Sequence, residues 1–145
     1  MKKSYRLIRQ LMLATTKIDG AYYFFAKKRG MKENTLALLY ALDDGKPHSQ
    51  KEICKDWLIP KTTINTNVKE LTKAGYITLS RGENKREKAI TLTEEGRAFT
   101  QKMLKNVYAA EQTAMEQTMQ KFSPEFVDAI GYFADCLNDE LQKRT

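Results

Sequence analysis

Histidine and cysteine are nearly absent from this 145-residue chain, which holds one His and two Cys. His48, Cys54 and Cys136 cannot build the usual cysteine and histidine zinc cluster without carboxylates or a second subunit, so no metal site is expected. Long apolar runs are missing as well. Nothing nears the roughly eighteen consecutive apolar residues of a membrane span, and no membrane partner is expected. The amino terminus MKKSYRLIRQ starts basic, but Arg6, Arg9 and Gln10 interrupt the apolar block that a secretory signal needs. A cytoplasmic location is the expectation. Nucleophile motifs, phosphate-cradling glycine loops and zinc-hydrolase spacings are lacking, which argues against an enzyme and implies no cofactor. Repeats, low-complexity tracts and linkers are lacking too, so residues 1–145 read as a single domain.

What is present is 41% hydrophobic residues, enough for a core at this length, and an uneven distribution of charge. The net +7 hides +7 in residues 1–29 and +5 in residues 46–88, against −2 in 30–45 and −3 in 89–145. The start and middle of the chain therefore hold the basic surface that a polyanion requires.

Periodicity predicts a mainly helical chain. Leu7, Leu11, Ala14 and Ile18 recur at helical spacing in a first helix from Ser4 to Lys28, with Tyr5, Ile8 and Met12 forming a second stripe beside them. So wide an apolar face implies more than one neighbour. A helix over Lys32–Leu42 follows, with Leu36, Leu39 and Tyr40 inward. The turn Asp43-Asp44-Gly45-Lys46-Pro47 ends it, and His48 beside these acids reads as loop chemistry. Ser49-Gln50-Lys51-Glu52 has capping-box spacing and opens a short helix with Ile53 and Trp57 inward. Leu58-Ile59-Pro60 breaks it. The next helix runs to Ala74 and stops at Gly75. Extended runs at Tyr76–Ser80 and Lys88–Leu92 flank a glycine- and asparagine-bearing turn, which is a hairpin pattern. Thr93 caps a long helix reaching about Lys121, and Ser123-Pro124 restarts a last one whose stripe is Phe126, Ile130, Phe133, Leu137 and Leu141.

The short capped helix, the break and the helix from Thr62 to Lys73 form a helix-turn-helix pattern. Ile64, Val68 and Leu71 cluster on one side of the second helix. Thr62, Thr66, Lys69 and Lys73 fall opposite them, and Asn65 lies on the flank. Short hydroxyls and an amide suit base edges, and lysines suit phosphates. With their neighbours Lys61, Thr63 and Asn67 they make up the candidate reading helix. The following hairpin offers Arg81, Asn84, Lys85, Arg86 and Lys88 to a minor groove, whose potential attracts cations.

These segments together resemble the MarR family of winged helix-turn-helix regulators. The resemblance rests on Ser49–Ile53, on Pro60–Ile77, on Asn84-Lys85-Arg86 and on Leu92-Thr93-Glu94-Glu95-Gly96, and it extends over essentially the whole chain. It implies a two-stranded wing, a DNA-binding part over residues 32–92, and dimerisation helices over 4–29 and 94–143. It also implies a homodimer that binds an inverted-repeat operator in double-stranded DNA, usually as a repressor relieved by a small ligand, by oxidation or by another signal. The alternative is a winged-helix module that holds a protein partner without specific DNA binding. Two departures stand out. Pro60 replaces the serine often found at the start of the reading helix, and Asn84-Lys85-Arg86 replaces an Asp-x-Arg wing pattern.

The signal input is harder to read. Tyr22, Tyr23, Phe24 and Phe25 spread over all faces of the first helix, and packing is the simpler account of them. The resemblance adds a crevice lined by Tyr22, Tyr23 and Phe25, where family members hold small aromatic ligands. Redox-sensing members usually carry their cysteine near the start of the first helix, where this chain has Leu11-Met12-Leu13. Cys54 and Cys136 accordingly read as ordinary packing residues.

Overall fold

The computed structural model describes residues 2–81 and 88–145, so Asn84, Lys85 and Arg86 of the expected wing lie outside the described residues. In chain order the elements are α1 (Lys3–Lys28), α2 (Glu33–Leu42), β1 (His48–Ser49), α3 (Gln50–Trp57), α4 (Lys61–Lys73), β2 (Ile77–Arg81), β3 (Lys88–Leu92), α5 (Glu94–Met119) and α6 (Glu125–Lys143). The chain divides into two compact units, Met1–Met103 and Leu104–Thr145.

The first unit is organised by α2, which packs against α1, α3 and α4. Neighbours on so many sides explain why Leu36, Leu38, Leu39, Ala41 and Leu42 are all buried, a wider set than one helical stripe predicts. Tyr40, expected inward, is half-buried. Ile53 of α3, Ile59, Ile64, Val68 and Leu71 of α4, and Ile77, Ile90 and Leu92 of the sheet join α2 in one cluster. Trp57 is the departure. It is 44% exposed and meets Tyr40 edge-on, with ring centroids 5.4 Å apart.

The sheet has three strands in the order β1-β3-β2, all antiparallel. β1 is missing from the periodicity reading because two residues carry no alternation, yet His48 pairs with Ile90 and Ser49 with Ala89. β3 thus joins the hairpin to the start of α3.

A clamp closes the hairpin at its base. The Thr93 hydroxyl donates to the Gly75 carbonyl at 2.7 Å and accepts from the Gly96 amide at 2.9 Å. The Thr93 amide donates to the Tyr76 carbonyl at 3.0 Å. A Cβ on Gly96 would lie 1.8 Å from that carbonyl oxygen, so only glycine fits there. The Leu-Thr-x-x-Gly run therefore has a physical reason: it caps α5 and ties it to the end of α4.

In the second unit, Leu104 and Val107 are buried, while no residue of α6 is. Ser123 accepts from the Glu125 amide at 3.2 Å, as expected of a cap. Cys136 is exposed on α6 rather than packed, and Cys54 in the first unit is half-buried against the core.

Candidate nucleic-acid interface

The candidate reading surface is built within the first unit. Ser49 accepts from the Glu52 amide at 3.0 Å and so sets the start of α3, and Ile53 anchors that helix in the core. The Glu52 carboxylate is engaged by the His48 ring, 3.3 Å from Nδ1. His48 also meets both Asp44 oxygens, at 2.8 and 2.9 Å from Nε2. Burial works against protonating this ring, but the hydrogen bonds and charges of Asp44 and Glu52 prevail and raise its pKa above 6.5. The result is a strap that joins the loop after α2 to α3.

Leu58 makes the turn between α3 and α4 in the left-handed region, at φ 52° and ψ 39°, with 84% of its surface exposed. Pro60 then precedes α4 in an extended conformation and accepts from the Ile64 amide at 2.9 Å through its carbonyl. It offers no side-chain cap. The first turn of α4 therefore starts without a side-chain cap, and uncapped amides at a helix start suit an anion.

Along α4, Lys61, Thr62, Asn65, Thr66, Lys69 and Lys73 are exposed and Thr63 is half-buried. Thr66 donates its hydroxyl to the Thr62 carbonyl at 3.2 Å, which leaves that oxygen as an acceptor toward solvent. Asn67 corrects the sequence reading. It is 1% exposed and sits on the same face as Ile64, Val68 and Leu71, so it cannot belong to the outward surface. Its Nδ2 has no hydrogen-bond partner among the described residues. Asn65 carries a contact that spacing gives no hint of: Gln50 at the start of α3 donates through Nε2 to Asn65 Oδ1.

At the end of the β2–β3 ladder farthest from the Thr93 clamp, Arg81 and Lys88 are exposed and directly paired. Like charges opposite one another repel, and an anion between them removes the penalty. Tyr22 and Phe25 are half-buried on α1 and Tyr23 is exposed, its ring edge-on to Phe24 at 5.3 Å. The Arg29 guanidinium lies 5.2 Å from the Phe25 ring centroid.

Residues 29–87, which include the helix-turn-helix, match the MarR family model. That match takes in less than half of the chain. A MarR family regulator from Neisseria meningitidis has the same fold, with a TM-score of 0.72 at 23% identity over 99% of this chain and 96% of that one. The fold is also similar to that of BpsR from Bordetella bronchiseptica, whose DNA binding is regulated by 6-hydroxynicotinic acid. There the TM-score is 0.61 at 22% identity, over 96% of this chain and 97% of that one. YwoH, an uncharacterized HTH-type transcriptional regulator of Bacillus subtilis, is 33% identical over 66 residues, 46% of this chain. The match spans about half of that relative, 48% of its length. Among the described residues, no group of three or more His, Cys, Asp or Glu could hold a metal ion, and no helix is long and apolar enough to cross a membrane.

Proposed function

We propose that this chain is a dimeric, sequence-specific double-stranded DNA-binding transcriptional regulator of MarR type, acting in the cytoplasm as a repressor that a small-molecule signal releases. The observation that carries the reading is the outward face of α4. Thr62, Asn65 and Thr66 present short polar groups there, Lys69 and Lys73 present positive charge, and the core-facing side is anchored by Ile64, Val68 and Leu71. The uncapped amides at the start of α4 and the Arg81–Lys88 pair suit phosphates.

In this reading residues 32–92 bind DNA and residues 4–29 and 94–143 dimerise. Leu7, Leu13 and Ile18 of α1 and Val127, Tyr132 and Leu141 of α6 are exposed in the single chain, and a second copy is the cover the family fold suggests. Tyr22, Tyr23 and Phe25 offer ring faces to a small aromatic ligand, and the guanidinium of Arg29 beside Phe25 would favour an aromatic acid.

The test is selection from randomised duplex DNA. It should return an inverted repeat with half-site centres about 34–36 Å apart. Affinity should fall linearly with salt on logarithmic axes, and Lys69→Ala or Lys73→Ala should each reduce the slope by about one. A dimer that selects no sequence at physiological salt would favour a protein-interaction module.

A further inference from the structure

The Gln50–Asn65 contact joins two helices through side chains alone, across fifteen residues of sequence. Gln50 is held from several directions. It follows Ser49, which caps α3 and pairs with Ala89 of β3, and it precedes Ile53, which is fixed in the core. Asn65 follows the fully buried Ile64 and stands on the exposed side of α4. An asparagine amide has two faces of opposite character, a carbonyl that accepts and an NH2 that donates. With Gln50 Nε2 donating to Oδ1, the Asn65 oxygen is turned toward α3 and its NH2 is turned away from it.

We infer that Gln50 is a positioning residue for sequence readout: it selects the amide orientation in which Asn65 offers a hydrogen-bond donor to the base edge. This rests on the reading of α4 as the DNA-recognition helix. In the major groove, guanine N7 and O6 and thymine O4 are acceptors, whereas cytosine shows only its N4 donor. Asn65 in the held orientation therefore favours guanine or thymine over cytosine on the strand it contacts. Gln50 makes this choice without reaching a base itself. Neighbouring Thr66 does not offer the same discrimination, since its hydroxyl proton is committed to the Thr62 carbonyl.

The inference is tested on the full-length protein with a randomised duplex library, followed by titration of every single-base variant of the selected site at one salt concentration. Asn65→Ala first identifies the base position that Asn65 reads, as the one whose preference flattens. Gln50→Ala should flatten the same position by about tenfold, and the double variant should be no flatter than Asn65→Ala alone. Gln50→Glu offers only acceptors, so Asn65 must turn its NH2 inward and its oxygen outward, and the preference at that position should move toward cytosine. Gln50→Lys offers only donors and should keep the wild-type preference, whatever its added charge does to overall affinity. A residue that merely supported α3 would lower affinity for all sequences evenly and leave this profile unmoved.

An unchanged profile in both Gln50→Ala and Gln50→Glu, or losses that add to those of Asn65→Ala, would overturn the inference while leaving α4 as the reading helix. A wild-type protein that selects no sequence would overturn both.

Discussion

α4 and α6 both carry an apolar stripe at three- and four-residue spacing, yet Ile64, Val68 and Leu71 of α4 are buried whereas no residue of α6 is. α4 finds its cover in α2, α3 and β2 of the same unit. α6 offers Ile130, Leu137 and Leu141 to solvent. Periodicity reports which face of a helix is apolar, and it is silent on what covers that face. One region completes its own core; the other leaves its apolar stripe exposed in the single chain.

Substitutions that break this contrast should have unequal signatures. Leu39→Ala removes a fully buried side chain of α2 and should lower the unfolding free energy by about 2–5 kcal/mol in a urea titration. Leu137→Asp, on the exposed stripe of α6, should instead raise the dimer dissociation constant at least about tenfold, near 1.4 kcal/mol, in sedimentation equilibrium. A dimer untouched by that charge would remove α6 from the proposed seam.

The contrast recurs on a smaller scale within α4, between Asn65 and Asn67. Two residues apart, one is exposed and tied to Gln50 and the other is buried with an unpartnered NH2 among the described residues. Asn67→Leu should raise stability by about 1–2 kcal/mol, because it removes a buried donor, and leave the DNA preference unchanged. Asn65→Ala should do the reverse.

Leu58 is a further case of an apolar side chain outside the core. Its left-handed backbone costs an L-residue about 1–2 kcal/mol, and glycine returns part of the gain as unfolded-state entropy. Leu58→Gly should therefore stabilise by roughly 0.5 kcal/mol in thermal unfolding. A loss of stability would mean that the exposed leucine has a partner the single chain lacks.

The smallest effect concerns the His48 strap. Its pKa is raised in the folded state, so its contribution is full below pH 6.5 and fades as pH rises through the raised value. Asp44 shows the opposite trend: burial works slightly against its charge, but the His48 hydrogen bond and nearby positive charge lower its pKa, and its contribution fades as acid protonates it below 3.8. His48→Gln should cost a few tenths of a kcal/mol, about the worth of a partly exposed ion pair, at roughly pH 6 and less at roughly pH 8.5. Equal losses at both values would show that the ring acts through packing alone.

Much of this architecture is legible in the residues. Ser49, Gly75, Thr93 and Ser123 mark helix ends by local hydrogen-bond chemistry, and each boundary falls within a few residues of its expected place. What escapes is what depends on distant partners. β1 exists because Ala89 and Ile90 lie beside it. Trp57 turns to Tyr40 instead of the core, and Asn67 is drawn inward because it shares a face with Ile64 and Val68. Gln50 has an ordinary helix-start composition, and nothing in its neighbourhood announces a bond to residue 65. Asn84, Lys85 and Arg86 lie outside the described residues, so their expected role stands on the sequence reading alone.

The Thr93 clamp also gives the hairpin a modular character. Because Thr93 bonds to both Gly75 and Tyr76, the chain leaves the end of α4 and returns to the start of α5 at nearly one point. Between these ends the hairpin is held by its own ladder, by β1 and by the core residues Ile77, Ile90 and Leu92. Its length and tip chemistry can change without altering how α4 is joined to α5, provided the five ladder pairs from Ile77↔Leu92 to Arg81↔Lys88 are kept. For an engineer the tip is an exchangeable cassette: a segment of different reach or charge can be spliced in beyond Arg81 and Lys88, and α4 need not be redesigned.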